Sequence, residues 1–242
     1  MTKAKLGGFP LDFLIFLLIL CLIAGVFSYI ALRPGSSQDA AGENEKRTFC
    51  TVILDAGHGG EDGGAVSCTG SAEKDLNLDI TLRLRDLLQA NGVQVILTRE
   101  TDILLYDRNT NYQGRKKALD LAARYRIAQE NPDSIFVSIH MNSYPQAQYS
   151  GLQVWYSPNH TDSKAIADTI QQTIREHLQP ENDRKTKSAT SSIYLLHHIS
   201  SPAVLVECGF LSNPEEAKRL DTEAYRDQLS FLLFLSIMKA LE

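Results

Sequence analysis

The sequence predicts an α/β fold: a twisted, mostly parallel central sheet with helices on both faces, preceded by one N-terminal transmembrane helix. Three observations carry that prediction. Short apolar, β-branched runs alternate with longer segments whose apolar residues recur every three or four positions. One of the short runs, SIFVSIH at Ser134–His140, is apolar enough to be buried on both faces. An uncharged apolar stretch, FLIFLLILCLIAGVFSYIAL from Phe13 to Leu32, stands ahead of all of them.

At ~1.5 Å rise per residue, Phe13 to Leu32 forms a helix about as long as a bilayer hydrocarbon core is thick. Lys3 and Lys5 precede it and only Arg33 follows closely, so the positive-inside rule leaves the N-terminus in the cytoplasm. A cleaved signal peptide would have a shorter apolar core and a small-residue cleavage site, of which Ala31 and Pro34 are a poor version. Residues 1–32 are therefore expected to be a cytoplasmic N-terminus and uncleaved anchor. The protein would be single-pass in the cell membrane, with its folded domain on the extracytoplasmic side. Residues 33–47 (RPGSSQDAAGENEKR) are polar and lack an apolar period, as a flexible linker does.

The folded domain is expected over 48–242. Thr51 to Leu54 reads as a strand running into the turn AGHGGEDGG. Glu73 opens a helix whose Leu76, Ile80, Leu84, Leu87 and Leu88 share one face, and Asn91-Gly92 closes it. Val93 to Thr98 reads as a strand and Arg115 to Glu130 as a helix stopped by Asn131-Pro132. After SIFVSIH, Gly151 to Ser157 reads as a strand. Ser163 to Leu178 reads as a helix, with Ile166, Ile170 and Ile174 four residues apart. Gln179 to Ser192 reads as a polar loop. Ala203 to Glu207 is the last strand; Pro214 to Leu220 and Thr222 to Leu241 are the last helices. The apolar run in the final helix is too short to span a membrane and is expected to pack in the core.

Composition sets limits on function. Hydrophobic residues make up 43% and charged residues 22% of the 242, which suits a folded globular chain. A net charge of −5 does not predict nucleic-acid binding, which needs a basic face. The four cysteines, with no CxxC spacing, define neither a disulfide framework nor a cysteine metal site.

The reactive side chains cluster at one place in this scheme. His58 follows the first strand, His140 ends SIFVSIH, and Glu207 ends AVLVE. In an open α/β sheet, ligand sites form beyond the carboxyl ends of the strands, so these three can meet at one edge. Glu73, opening the helix after the glycine-rich turn, can reach the same edge. Two histidines and one carboxylate form a catalytic zinc set that keeps one position open. A second carboxylate nearby can take a proton from water and hand it to a leaving amine. His58, Glu73 and His140 supply the ligands and Glu207 the acid and base. His160 and His177 read as surface residues; His197 and His198 lie in a polar-to-apolar transition and could line a substrate groove, though the structural reading is favoured.

The segments LDAGHGGEDGGA, SAEKDLNL, VILTRETD, FVSIHMNS and AVLVECGFLSNPEEA resemble the signature blocks of the zinc-dependent N-acetylmuramoyl-L-alanine amidases of the Amidase_3 type, in that family's order and spacing. The resemblance covers about residues 49 to 241. It implies one Zn²⁺ per chain on His58, Glu73 and His140, with Glu207 as catalytic carboxylate. It also implies hydrolysis of the amide between the lactyl group of N-acetylmuramic acid and L-alanine in peptidoglycan. The chain departs from the family pattern at Ala56, where proline is usual, and at Met141, where alanine is frequent; neither is a ligand. A single domain behind one anchor, together with GRKKALDLAARYRIA, resembles the spore-cortex branch, the CwlD-type amidases of endospore formers. That branch implies a role in muramic-δ-lactam formation, an accessory lipoprotein as partner, and the forespore intermembrane space as compartment.

Asn142 is a candidate for a hydrogen bond to substrate or to a ligand; two basic groups, Arg115/Lys116/Lys117 and Arg184/Lys185/Lys187, could meet peptide carboxylates but read first as solvated charge runs. Two other readings stay open: a zinc peptidase on a similar sheet, for which Asp55, Asp62 and Asp75 could help hold a second metal, and a non-catalytic wall-binding protein.

Overall fold

A computed structural model describes residues 51–107, 109 and 112–242. The expected anchor and linker lie outside the described residues. Among the described residues, no helix is long and apolar enough to cross a membrane.

The elements alternate as expected. β1 (Thr51–Ala56), β2 (Gln94–Leu97), β3 (Ser134–Asn142), β4 (Gln153–Tyr156), β5 (Lys187–Ser188) and β6 (Ala203–Phe210) form one sheet in the order β2-β1-β3-β6-β4-β5. The helices are α1 (Glu73–Ala90), α2 (Lys116–Gln129), α3 (Asp162–His177), α4 (Tyr194–His198), α5 (Pro214–Leu220) and α6 (Glu223–Leu241).

Side-chain alternation sorts the helices onto two faces. Val52, Leu54, Val137, Ile139, Val204 and Val206 project to one face. There they pack with Leu76, Ile80, Leu84 and Leu88 of α1, Ile166, Ile170 and Ile174 of α3, and Leu229, Leu233 and Ile237 of α6. Ile53, Phe136, Ala203 and Leu205 project to the other, against Leu121, Tyr125 and Ala128 of α2 and Leu195 and Leu196 of α4. The apolar final helix is thus a packed core helix, as its length required.

The sheet is mostly parallel, as expected, with one antiparallel ladder. β1, β2, β3 and β6 run parallel, but β4 is antiparallel to β6, and β5 follows β4. The cause lies in the connection. Between β3 and β4 the chain has only residues 143–152 and no crossover helix, so it turns at the carboxyl edge and returns beside β6. The segment 179–192 is also more than a loop, since Lys187–Ser188 pairs with β4, and the short helix α4 follows it. β3 and β6 continue past His140 and Glu207, staying paired through Asn142↔Phe210 across a register shift.

Local signals account for the helix ends near the site. Glu73 and Asp75 sit in the first turn of α1, where the helix dipole favours them, and Gly92 ends it with a φ of 80°. Asn213 caps α5 by accepting from the Glu215 and Glu216 amides, with Pro214 in the first turn.

Candidate metal centre and catalytic carboxylate

The structure brings all four predicted residues to the carboxyl edge of β1, β3 and β6. Glu73, almost wholly buried, is the hub. Its Oε1 lies 3.2 Å from His58 Nε2 and 3.0 Å from His140 Nδ1, and accepts from the Met141 amide at 3.1 Å. Its Oε2 accepts from the Ala65 amide at 2.9 Å. One ligand atom from each of His58, Glu73 and His140 lies within 4.8 Å of the others. Met141, the position that departs from the family pattern, contributes its backbone here.

Two glycines make this closeness sterically feasible. A Cβ on Gly57 would stand 2.2 Å from the His140 ring, and one on Gly64 would stand 2.5 Å from Glu73 Oε2. Both loop residues must leave that space to the side chains of the site. His58 itself takes a φ of 63°, an uncommon value for a side-chain-bearing residue.

Buried arginines hold that backbone. Arg124 donates to the Ala56 and His58 carbonyls at 2.8 and 2.7 Å, and Arg99 to the Ala56 and Gly57 carbonyls at 2.9 and 3.1 Å. Arg124 pairs in turn with Asp55 and Asp120. Asn77, one turn after Glu73, donates to the Gly57 carbonyl at 3.1 Å. Asp62 Oδ2 lies 2.9 Å from His58 Nδ1, so the ring's far nitrogen faces a carboxylate while Nε2 faces Glu73. This is the outer partner that metal-binding histidines commonly have.

The electrostatics separate the two glutamates. Burial alone would raise the Glu73 carboxyl, but hydrogen bonds and charge from His140 and His58 hold it far below the usual carboxylate range. Burial would lower the His58 imidazole; Glu73 and Asp62 more than reverse that. Glu207 stands opposite His140 in register. Burial pushes its carboxyl up to about 7, with His140 pulling down and Glu73 pushing up. Its Oε2 is buried and has no hydrogen-bond partner among the described residues. One pair of carboxyls with affinities driven apart fits a ligand and a proton carrier.

A divalent cation fits this donor set. Two imidazole nitrogens and a carboxylate oxygen converge, the outer nitrogen of His58 lies 2.9 Å from an Asp62 oxygen, and a buried Glu207 oxygen stands without a partner on the neighbouring strand. The aspartates that kept a two-metal site open do not join it. Asp55 is committed to Arg124, Thr98 and Ser138; Asp62 faces His58 from outside; Asp75 is exposed on α1. Among the described residues His58, Glu73 and His140 form the one group of this kind.

The other histidines stand elsewhere. His198 Nδ1 lies 2.8 Å from the Tyr194 carbonyl, and its ring packs on Tyr125, Tyr194 and His197. His160 lies 3.8 Å from Asp162, and His177 is exposed at the end of α3. Of the first basic group, Lys116 pairs with Glu61 and Lys117 with Asp62.

Comparison with known proteins agrees with the geometry. A family model described as N-acetylmuramoyl-L-alanine amidase matches residues 52–239. The chain is 37% identical over 188 residues to the germination-specific N-acetylmuramoyl-L-alanine amidase of Bacillus subtilis, covering 78% of each chain. Among solved structures it is similar to the CwlD amidase from Clostridioides difficile in complex with the GerS lipoprotein. That match has 41% identity and a TM-score of 0.74, over 79% of this chain and 98% of that one. The AmiC2 amidase of Nostoc punctiforme follows at 33% identity and a TM-score of 0.67, over 79% and 96%.

Proposed function

The chain belongs to the Amidase_3 family of N-acetylmuramoyl-L-alanine amidases, and from that premise we propose that it is a zinc enzyme of spore-cortex peptidoglycan. Its reaction is hydrolysis of the amide between the lactyl group of N-acetylmuramic acid and L-alanine.

His58, Glu73 and His140 would hold one zinc ion. Zinc bound there supplies Lewis acidity toward the amide carbonyl and toward water. Glu207 accepts a proton from the attacking water and delivers it to the leaving L-alanine nitrogen. Its raised proton affinity suits both halves, since a carrier works best when its pKa lies near the working pH. Asp62 orients His58, while Arg99 and Arg124 keep the loop in place. The observation that carries this reading is the convergence of His58, Glu73 and His140 beside a buried, partnerless Glu207 oxygen.

The spore-cortex assignment draws support from the germination-specific amidase and from the CwlD amidase, the latter seen with a lipoprotein. By the same likeness, an accessory lipoprotein is this chain's proposed partner. The apolar segment Phe13 to Leu32 supports a single-pass anchor with the catalytic domain on the extracytoplasmic side; on the spore-cortex reading, that side is the forespore intermembrane space.

Incubating the full chain with purified peptidoglycan and zinc, and identifying the products by mass, tests the reading. Free stem peptides beginning with L-alanine are expected, directly or on addition of the lipoprotein. Cleavage within the peptide would point to a peptidase. Disruption in the spore former is expected to leave a cortex lacking muramic-δ-lactam, and a normal lactam content would remove the cortex role.

A further inference from the structure

On the β4 side of Glu207 the structure holds an arginine ready for a carboxylate. Gln153 is the antiparallel register partner of Glu207, and His140 its parallel one. Register partners project to the same face, so His140, Glu207 and Gln153 form one row across the sheet. Arg184 completes the row: its Nη1 donates to Gln153 Oε1 at 3.0 Å and its Nε to the Ser150 carbonyl at 2.7 Å. The guanidinium lies 4.4 Å over the Phe210 ring. Its backbone is fixed as well, the amide donating to Asn182 at 3.0 Å and the carbonyl accepting from Arg175 at 2.7 Å.

This arginine is held in place, and its charge reaches the buried Glu216 carboxyl, whose two oxygens already accept from the Gly151 and Phe210 amides. Arg184 is half-buried and makes no ion pair among the described residues, and its Nη2 has no acceptor there. A fixed, planar cation with a free donor edge suits a carboxylate. On the opposite flank Lys116 and Lys117 already have carboxylate partners, Glu61 and Asp62. The rim beside Arg184 is aromatic. Tyr149 packs 6.3 Å from Phe210 and Tyr144 packs 5.0 Å from Tyr149, and both tyrosines are exposed.

The proposed chemistry fixes which half of the substrate lies here. The leaving nitrogen must come within reach of Glu207, and the acyl carbon must lie toward His58, Glu73 and His140. The stem peptide begins at that nitrogen, so it is directed away from the triad, over β4 and β5. We infer that Arg184, with the Tyr144–Tyr149–Phe210 rim, is a subsite for a stem-peptide carboxylate. The inference rests on the amidase reading above for the identity of the peptide.

The test measures binding separately from turnover. Calorimetry on the full chain in detergent would compare a free L-alanyl-γ-D-glutamyl-diamino-acid tripeptide with the same peptide carrying carboxamides in place of carboxylates. The carboxylate form is expected to bind about 10- to 100-fold more tightly, the worth of one charge-assisted contact. Arg184→Gln should erase the difference and Arg184→Lys should keep part of it. On muropeptides, Arg184→Gln should raise KM by a similar factor and leave kcat in place. Equal binding of the two peptides to the unsubstituted chain would overturn the subsite, as would an Arg184→Gln loss that is the same for both. A chain that prefers the carboxylate peptide yet releases no peptide from peptidoglycan would keep the subsite and refute the amidase reading.

Discussion

His140 and Glu207 are register partners across the β3–β6 ladder, so a proposed metal ligand and the proposed proton carrier stand side by side on one face. The arrangement divides their duties. Glu207→Gln keeps the shape and takes away the proton-carrying group. It should retain zinc at one per chain and lose about 10²- to 10⁴-fold in turnover. Metal content and single-turnover release of stem peptides check both halves. Loss of zinc in that variant would make Glu207 a ligand.

The second prediction concerns space. Gly57→Ala places a methyl 2.2 Å from the His140 ring, and something must shift. The ring is the movable partner, since the Gly57 amide is bonded to the Ile139 carbonyl at 3.0 Å within the sheet edge. Zinc affinity should therefore fall more than fold stability does. The readout is the zinc-dependent gain in melting temperature, large in the natural chain and small in the variant. A chelator should lower the natural chain's melting temperature to the same degree. An undiminished zinc-dependent gain in Gly57→Ala would show that His140 does not bind the metal.

The positions of the reactive residues were legible because strands announce themselves by apolar, β-branched runs. His58, His140 and Glu207 each follow or end such a run, and parallel strands deliver their ends to one edge. The supporting residues were not legible in the same way. Arg124 lies in the basic, alanine-rich stretch GRKKALDLAARYRIA, and only the packed fold shows it buried between Asp55 and Asp120. The one signal available was its spacing of four from Asp120 on a helix. Asp62 was weighed as a ligand for a second metal, and it instead faces the outer nitrogen of His58. β5 and α4 have two and five residues, too few to display a period. The reversal of β4 was foreshadowed only by the short β3–β4 connection.

Arg124 also predicts a pH effect. Burial would raise the Asp55 carboxyl, but the Arg124 guanidinium and hydrogen bonds from Ser138 and Thr98 bring it below its ordinary value. A carboxyl depressed in the folded state contributes stability at pH above its unfolded value, about 3.9, and that stability is lost as pH falls through the folded value. Urea unfolding should thus show stability declining below about pH 4, with a shallower decline in Asp55→Asn. At neutral pH, Arg124→Met leaves Asp55 and Asp120 buried without their cation and should cost about 3–5 kcal/mol. An unchanged acid limb in Asp55→Asn would assign the decline to Glu73 and other carboxylates.

Asp62 offers the sharpest separation between holding the metal and orienting its holder. It lies 2.9 Å from His58 Nδ1, and Lys117 lies 3.8 Å from it on the solvent side. A carboxylate hydrogen-bonded there would fix the proton on Nδ1, leave Nε2 as the ligand atom, and raise its basicity. Asp62→Asn keeps the size but removes the charge. Zinc affinity should drop about 10- to 100-fold, the cost typical of removing such an outer partner, while the fold is untouched. At saturating zinc, turnover should recover most of its natural value, because Glu207 is unaltered. Competition with a chelating dye gives the affinity, and activity titrated against free zinc gives the recovery. If affinity holds, the Asp62 contact does not tune His58; if affinity falls and saturating zinc restores nothing, Asp62 acts on the substrate instead.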